Sequence, residues 1–325
     1  MLADPARKSQ VQTQTDTNPR RGILIRTTPA DQGLVELPGL APHLQFRDIG
    51  DGQTLLVSES FNTLLHGKLY CDLLPRLDGR RRHDEIVAAL DGAHAAADVL
   101  AAMVSLSAKG YVVSADHRID PCRAAYWSTL GASPRWVEQR LTQSRVAVVG
   151  DGGRLVRHLE QCGARLGADD PKLTVIVCDD YLDEGLAEVN RRQLELGAPW
   201  MLVRPRGIEP LFGPVFRSDE AGPCWDCLSY RLRSHQEVHN FLRNLAGEAA
   251  AFKPFAVDPT VLEALYGLIA AEAVKWLVLD EVAPIHERAI TMNVGTFASS
   301  QHRVVRRPQC LVCGDEALHL SLIHI

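Results

Sequence analysis

The sequence predicts an α/β chain in two parts: an N-terminal winged helix-turn-helix of three strands and three helices, then a Rossmann-like domain with a structural four-cysteine zinc site. Three observations carry this. Three short strand patterns and then three helical patterns follow one another from Leu44 to Val113. A buried strand at Arg145–Val149 runs into a glycine turn and opens a βαβαβ alternation. Two CxxC pairs, Cys224-Trp-Asp-Cys227 and Cys310-Leu-Val-Cys313, lie roughly 80 residues apart.

Bulk properties narrow the classes. The chain has 325 residues, enough for two domains, and its 46% hydrophobic and 23% charged content is that of a globular protein. A net charge of −5 argues against a general binder of nucleic acid or of anionic membranes. The longest apolar stretch, Val261–Leu279, is broken by Glu263, Glu272 and Lys275, which makes it a buried helix rather than a membrane span. Residues 1–22 are polar and lack the apolar core of a secretory signal. They read as disordered, and the expected compartment is the cytoplasm.

The first domain is placed at residues 23–117. Leu44–Ile49 leads to the turn Gly50-Asp51-Gly52, and Thr54–Ser58 and Ser60–His66 follow as two more strands. Leu69–Leu77 and His83–Leu90 are helices, each closed by Asp-Gly. Ala95–Lys109 is a third, with Gly110 at its C-cap. Tyr111–Val113 is a short closing strand. DNA binding is the usual use of such a shape. Here the third helix has Lys109 as its one cation and no Arg, Asn or Gln to read base edges. The run Arg80-Arg81-Arg82 falls in a turn, where a solvated loop and a contact for an acidic peptide are equally good readings. A third strand at the sheet edge can instead accept an extended peptide as one more strand. The candidate edge is Ser60–His66, with Phe61, Asn62, Thr63, Leu64 and Leu65, and the candidate wall is the third helix, with Val99 and Met103. A plain core role is the competing expectation for most of these apolar residues.

Residues 118–143 read as a linker helix, and 144–318 as the second domain. The strand at 145–149 enters Gly150-Asp-Gly152-Gly153, with a helix from Arg154 to Leu166. Leu173–Cys178 and Trp200–Val203 are further strands, with a helix from Leu182 to Leu196 between them. A dinucleotide turn wants a third glycine where Leu155 stands, and no acid ends a second strand before Leu173. No catalytic or cofactor-binding residue is assigned in this fragment. Trp225–Leu245 and Pro259–Asp280 read as helices, and Ala289–Val294 and His302–Val305 as strands.

Each CxxC sits in a knuckle-like setting, with Gly222-Pro223 before the first, Pro308 before the second and Gly314 after it. Two such turns supply a tetrahedral shell of four sulfurs that suits zinc, closed and therefore structural: Cys224, Cys227, Cys310 and Cys313. Disulfides are the rival, with no secretory signal to support them. Cys71, Cys122, Cys162 and Cys178 are expected to be buried thiols.

Taken together, Leu77-Asp-Gly-Arg80 with Glu85-Ile-Val87, Gly213-Pro-Val-Phe216, Gly222-Pro-Cys-Trp-Asp-Cys-Leu228 and Arg306-Arg-Pro-Gln-Cys-Leu-Val-Cys-Gly314 resemble a known pattern. It is the leader-binding half of azoline-forming cyclodehydratases, which make thiazole- and oxazole-modified microcins (TOMMs, a class of ribosomal peptide natural products, or RiPPs, that includes bacteriocins). The resemblance covers roughly residues 40–318. It implies that the first domain is a RiPP recognition element, which grips the precursor's leader as an added strand. The second would be a truncated ThiF-type domain that has lost adenylation. ATP would be used only by a YcaO-type domain or partner subunit, which forms azolines from core Cys, Ser or Thr. Family members are often dimeric through this region, so a homodimer is a further expectation.

The segment Ser321-Leu-Ile-His-Ile325 matches the translation of a common sequencing adapter. Residues 319–325 are read as that artefact or as a genuine tail. In the first case the native frame is expected to continue into a YcaO-type domain. Two rival functions stay open at this stage. An ATP-dependent ThiF-type adenylating enzyme would show pyrophosphate exchange. A winged-helix regulator would show salt-sensitive DNA binding.

Overall fold

A computed structural model describes residues 26–28, 33–217, 222–235, 241 and 258–315. The chain divides into two compact units. One comprises the residues up to Val113 with Ala124–Ser133; the other comprises Ser114–Arg123 and the residues from Pro134 onward.

In the first unit, β2 Gln45–Gly50, β3 Gln53–Val57 and β4 Asn62–His66 form an antiparallel sheet in that order. A separate two-stranded sheet pairs β1, Pro38–Leu40, with β5, Val112–Ser114. The closing strand therefore has a partner that the sequence reading did not identify. The strand alternation is plain in β3, where Thr54 and Leu56 are buried and their neighbours are not. Helix α1 spans Lys68–Leu73 and gives way to a 3-10 turn at Leu74–Arg76. The expected helix to Leu77 is cut short because Pro75 has no N–H to continue it. Helices α2, His83–Ala89, and α3, Ala96–Ala108, complete the unit. Leu73, Ile86, Val99, Met103 and Leu106 pack with Leu56 and Leu65 in one core.

The motif Leu77-Asp-Gly-Arg80 has a local job. Leu77 is buried and its carbonyl accepts the N–H of Leu40 at 2.9 Å. The N–H of Gly79 donates to the carbonyl of Pro38, and the Asp78 carboxylate accepts the N–H of Arg80. The turn thus fastens β1. Arg81 pairs with Asp78 at 3.0 Å and Arg82 with Glu36, so two of the three consecutive arginines are engaged within the unit.

The expected linker helix is two helices, α4 Pro121–Thr129 and α5 Pro134–Gln143, separated at Gly131 and begun again at a proline. The second unit carries a seven-stranded sheet. β6, Arg145–Val149, pairs in parallel with both β7, Arg165–Leu166, and β8, Leu173–Val177. β9, Trp200–Arg204, extends the parallel part. β10, Leu211–Phe216, turns the sheet antiparallel, and β11, Arg288–Met292, and β12, Ser299–Arg303, finish it. The strand order is β12-β11-β10-β9-β8-β6-β7. Helix α6 is Gly153–Gln161, so Arg165 and Leu166, expected in that helix, form a strand after Gly163. α7 is Gly185–Leu196, and α8 is Trp225–Ser234. The rest of the expected helix to Leu245 lies outside the described residues, apart from Phe241, as do residues 1–22 and 319–325.

The long helix α9, Pro259–Leu279, starts on a cap from Asp258, whose carboxylate accepts the N–H groups of Thr260 and Val261 at 2.8 and 3.2 Å. Its last turn is capped from α5. The Trp136 indole donates to the carbonyl of Val278, and Arg140 Nε donates to that of Leu277, each at 2.9 Å. Among the described residues no helix is long and apolar enough to cross a membrane.

Candidate functional site

The edge of the first sheet comes first. β4 has β3 on one side and, among the described residues, no strand on the other. The register pairs Leu56 with Thr63 and Leu55 with Leu64. At the two ends of this ladder, Ser58 donates its N–H to Phe61 and Gly67 donates to Gly52. Antiparallel ladders alternate bonded and non-bonded pairs. Thr63 and Leu65 therefore spend their backbone groups on β3 and Phe61 spends its own on Ser58, while those of Asn62, Leu64 and His66 face the open side. Asn62, Leu64 and His66 are also the exposed side chains of the strand.

The predicted site residues separate on this geometry. Asn62 and Leu64 stand on the open edge. Phe61 and Thr63 are half-buried: Phe61 stacks on Tyr111 at 6.1 Å, and Thr63 Oγ1 lies 3.4 Å from the Tyr111 hydroxyl. Leu65, Val99 and Met103 belong to the core, with Val99 fully covered, so they back the wall and do not face a ligand. The side chains that α3 does expose are Ala96, Ala97, Asp98, Ala101, Val104, Ser105 and Ala108. Their single charge is negative, which argues against a nucleic-acid groove. Tyr111 and His43, which the sequence reading did not single out, pack beside this edge. His43 meets Phe61 edge-on at 6.1 Å and shares a 2.7 Å hydrogen bond with Ser128; burial lowers its pKa. An aromatic directly after the Gly110 cap was the available signal for Tyr111.

The four predicted ligand cysteines come together in the second unit. Their sulfurs all lie within 4.8 Å of one another; Cys224, Cys227 and Cys310 are buried and Cys313 is half-buried. The separations are 3.9 Å for Cys224–Cys227, 3.6 Å for Cys224–Cys310 and 3.5 Å for Cys227–Cys313. A tetrahedron with metal–sulfur bonds of about 2.3 Å has edges of about 3.8 Å. The cluster can therefore hold a metal ion with little movement. Neighbouring thiols and the backbone N–H of Arg307 all donate to Cys227, which holds its pKa well below that of an ordinary thiol.

Each knuckle is fastened by its own sequence. Trp225, inside the first CxxC, donates its N–H to the buried Asn190 and its indole N–H to the carbonyl of Tyr181. The Tyr181 hydroxyl is buried among the carbonyls of Leu202, Leu211 and Gly213, so the first knuckle is tied to the sheet. In the second, Gly314 N–H closes on Cys310 O at 2.8 Å. A side chain at Gly314 would come within 2.5 Å of backbone atoms of Cys310 and Pro308. Of the remaining cysteines, Cys71, Cys162 and Cys178 are partly buried, but Cys122 is exposed, contrary to expectation. It lies on the outer side of α4, whose buried residues are Ala124 and Trp127.

The glycine turn lies where a doubly wound sheet would hold a nucleotide, beyond the ends of β6 and β8. A cleft of about 150 Å³ is lined there by Asp151, Cys178, Asp179, Arg206 and Tyr266. Arg206 bridges Asp151 at 3.1 Å and Asp179 at 3.9 Å. Gly150, at φ +93°, leaves only 2.3 Å between a Cβ and the carbonyl of Val177. This glycine thus serves the approach of β8.

The fold and cluster define a class: a winged helix-turn-helix, then a Rossmann-like domain clamped by four thiols. A winged helix-turn-helix domain family matches residues 39–114. A heterocyclase solved in complex with substrate and cofactor is 30% identical to this chain, with a TM-score of 0.78 over 86% of this chain and 40% of its own. The heterocyclase TruD is 32% identical, with a TM-score of 0.77 over 86% and 43%. The resemblance to this group, expected from the motifs, therefore holds, and the chain spans about two-fifths of the length of these relatives. MccB of E. coli shares the fold at 13% identity, with a TM-score of 0.59 over 86% of this chain and 97% of its own. No curated protein matches the sequence.

Proposed function

We propose that this chain captures the leader of a ribosomally made precursor peptide as an added strand on β4. It then presents the core Cys, Ser or Thr residues to a YcaO-type, ATP-dependent cyclodehydratase that forms azolines. The observation that carries the reading is the open edge of β4, whose outward backbone groups belong to Asn62, Leu64 and His66. The likeness to heterocyclases at 30–32% identity supports the reaction class. Phe61, Thr63 and Tyr111 would shape the inner side of the groove, and the exposed residues of α3 its wall. The four cysteines would hold a structural zinc, which supplies cross-linking of the fold and no open coordination position.

The test is fluorescence anisotropy with the labelled leader of the precursor peptide and no nucleotide. Saturable binding at micromolar concentration is expected, with no pyrophosphate exchange. A flat titration at tens of micromolar would overturn the reading, and exchange would favour a ThiF-type adenylating enzyme. The small, bridged cleft at the glycine turn speaks against that second activity.

A further inference from the structure

The sulfur cluster has charged company of an unusual kind. The Asp226 carboxylate lies 3.2 Å from the sulfur of Cys310, a distance at which a thiol donates a hydrogen bond. A metal-bound thiolate has no proton to give, so contact becomes repulsion. Four thiolates around one zinc ion already carry a net double negative charge, and Asp226 adds to it. A cation answers this from close range. The Arg307 guanidinium reaches Asp226 at 3.6 Å, and its own backbone N–H donates to Cys227 at 3.3 Å. Its planar group lies 3.5 Å from the centre of the Tyr230 ring, a stacking that fixes its position. Arg307 and Asp226 are only 22% and 30% exposed, so their charges are less screened than those of a surface pair.

We propose that Arg307 is the residue that balances the charge of this metal centre, held in place by Tyr230, and that Asp226 is tolerated beside Cys310 because Arg307 is there. This rests on the four cysteines being a zinc site. The bland alternative is an ordinary ion pair of little consequence.

Both variants and their combination, in the full chain, separate the two. Zinc retention is measured by competition with a chromogenic chelator, with circular dichroism to check folding. Arg307→Met is expected to lose about 10–100-fold in zinc retention, the usual range for residues that support metal ligands. Asp226→Asn is expected to hold zinc at least as well as the wild type, and the double variant to recover most of the loss. An Arg307→Met variant that retains zinc like the wild type, or a double variant whose loss is the sum of the two, would overturn the proposal. If Arg307→Met does not fold, Asp226→Asn alone decides, because weaker zinc retention there contradicts the repulsion. A wild-type chain without zinc overturns the metal reading itself, whereas a zinc-loaded wild type indifferent to Arg307 overturns only this proposal.

Discussion

Proline placed at either of two adjacent positions of β4 should have opposite consequences. The ladder assigns the N–H of Thr63 to Leu56 and leaves the N–H of Leu64 facing outward. Thr63→Pro deletes a bond inside the sheet and strands the carbonyl of Leu56, a fully buried residue. An unsatisfied buried group costs about 1–3 kcal/mol. For a domain of this size that lowers Tm by about 4–8 °C per kcal/mol. Leu64→Pro deletes a donor that has no partner among the described residues, at an edge where proline is tolerated. Its cost falls on binding: one backbone hydrogen bond is worth about 0.5–1.5 kcal/mol net, or about 2–12-fold in Kd. Leu64→Ala keeps the N–H and controls for the side chain. The assays are thermal melting by circular dichroism and leader anisotropy. A Leu64→Pro protein that binds like Leu64→Ala refutes strand addition, and a Thr63→Pro protein that melts like the wild type refutes the register.

Other outcomes follow from the same geometry. With the four cysteines holding zinc as proposed, Cys224→Ser or Cys310→Ser should unfold the second unit, because the apparent binding energy of a structural zinc, about 10–16 kcal/mol, equals or exceeds the stability of a typical domain; a folded, zinc-free variant by circular dichroism and metal analysis contradicts this. Alkylation of the native protein at pH 7.5 should label Cys122, which is exposed, and spare Cys178, whose pKa burial pushes up to about 12; peptide mass mapping reads the two sites. In the first unit, the hydrogen bond from His94 at 2.8 Å holds the pKa of Asp72 below its ordinary 3.8. The contact therefore stabilises the fold above that value and is lost as the pH falls through the lower folded one. Melting curves of wild type and Asp72→Asn should converge on acidification below about pH 4, and a constant gap would contradict the assignment.

The elements with strong local signals were legible. The strand-to-glycine turn at residues 145–153 and the two CxxC knuckles declare themselves through residue type and spacing alone. The sequence was less informative where three-dimensional neighbours decide. β1 and β7 are three and two residues long, too short for any periodicity to register. Val99 and Met103 are apolar whether they face a groove or a core, and the packing of α3 turns them inward. Which backbone groups of β4 are free depends on pairing with β3, and pairing is set by the turn between them. The charged pair beside the four cysteines was hidden for the same reason: Asp226 and Arg307 are 81 positions apart in the chain and meet only at the folded knuckles.

Amide hydrogen exchange on β4, with and without the leader, tests strand addition most directly. In the free protein the amides of Thr63 and Leu65 should exchange slowly and those of Asn62, Leu64 and His66 quickly. Saturating leader should slow Leu64 and His66 strongly and change Thr63 and Leu65 little. Unchanged exchange along the whole of β4 at a leader concentration that saturates the anisotropy signal would place the peptide elsewhere and contradict the account.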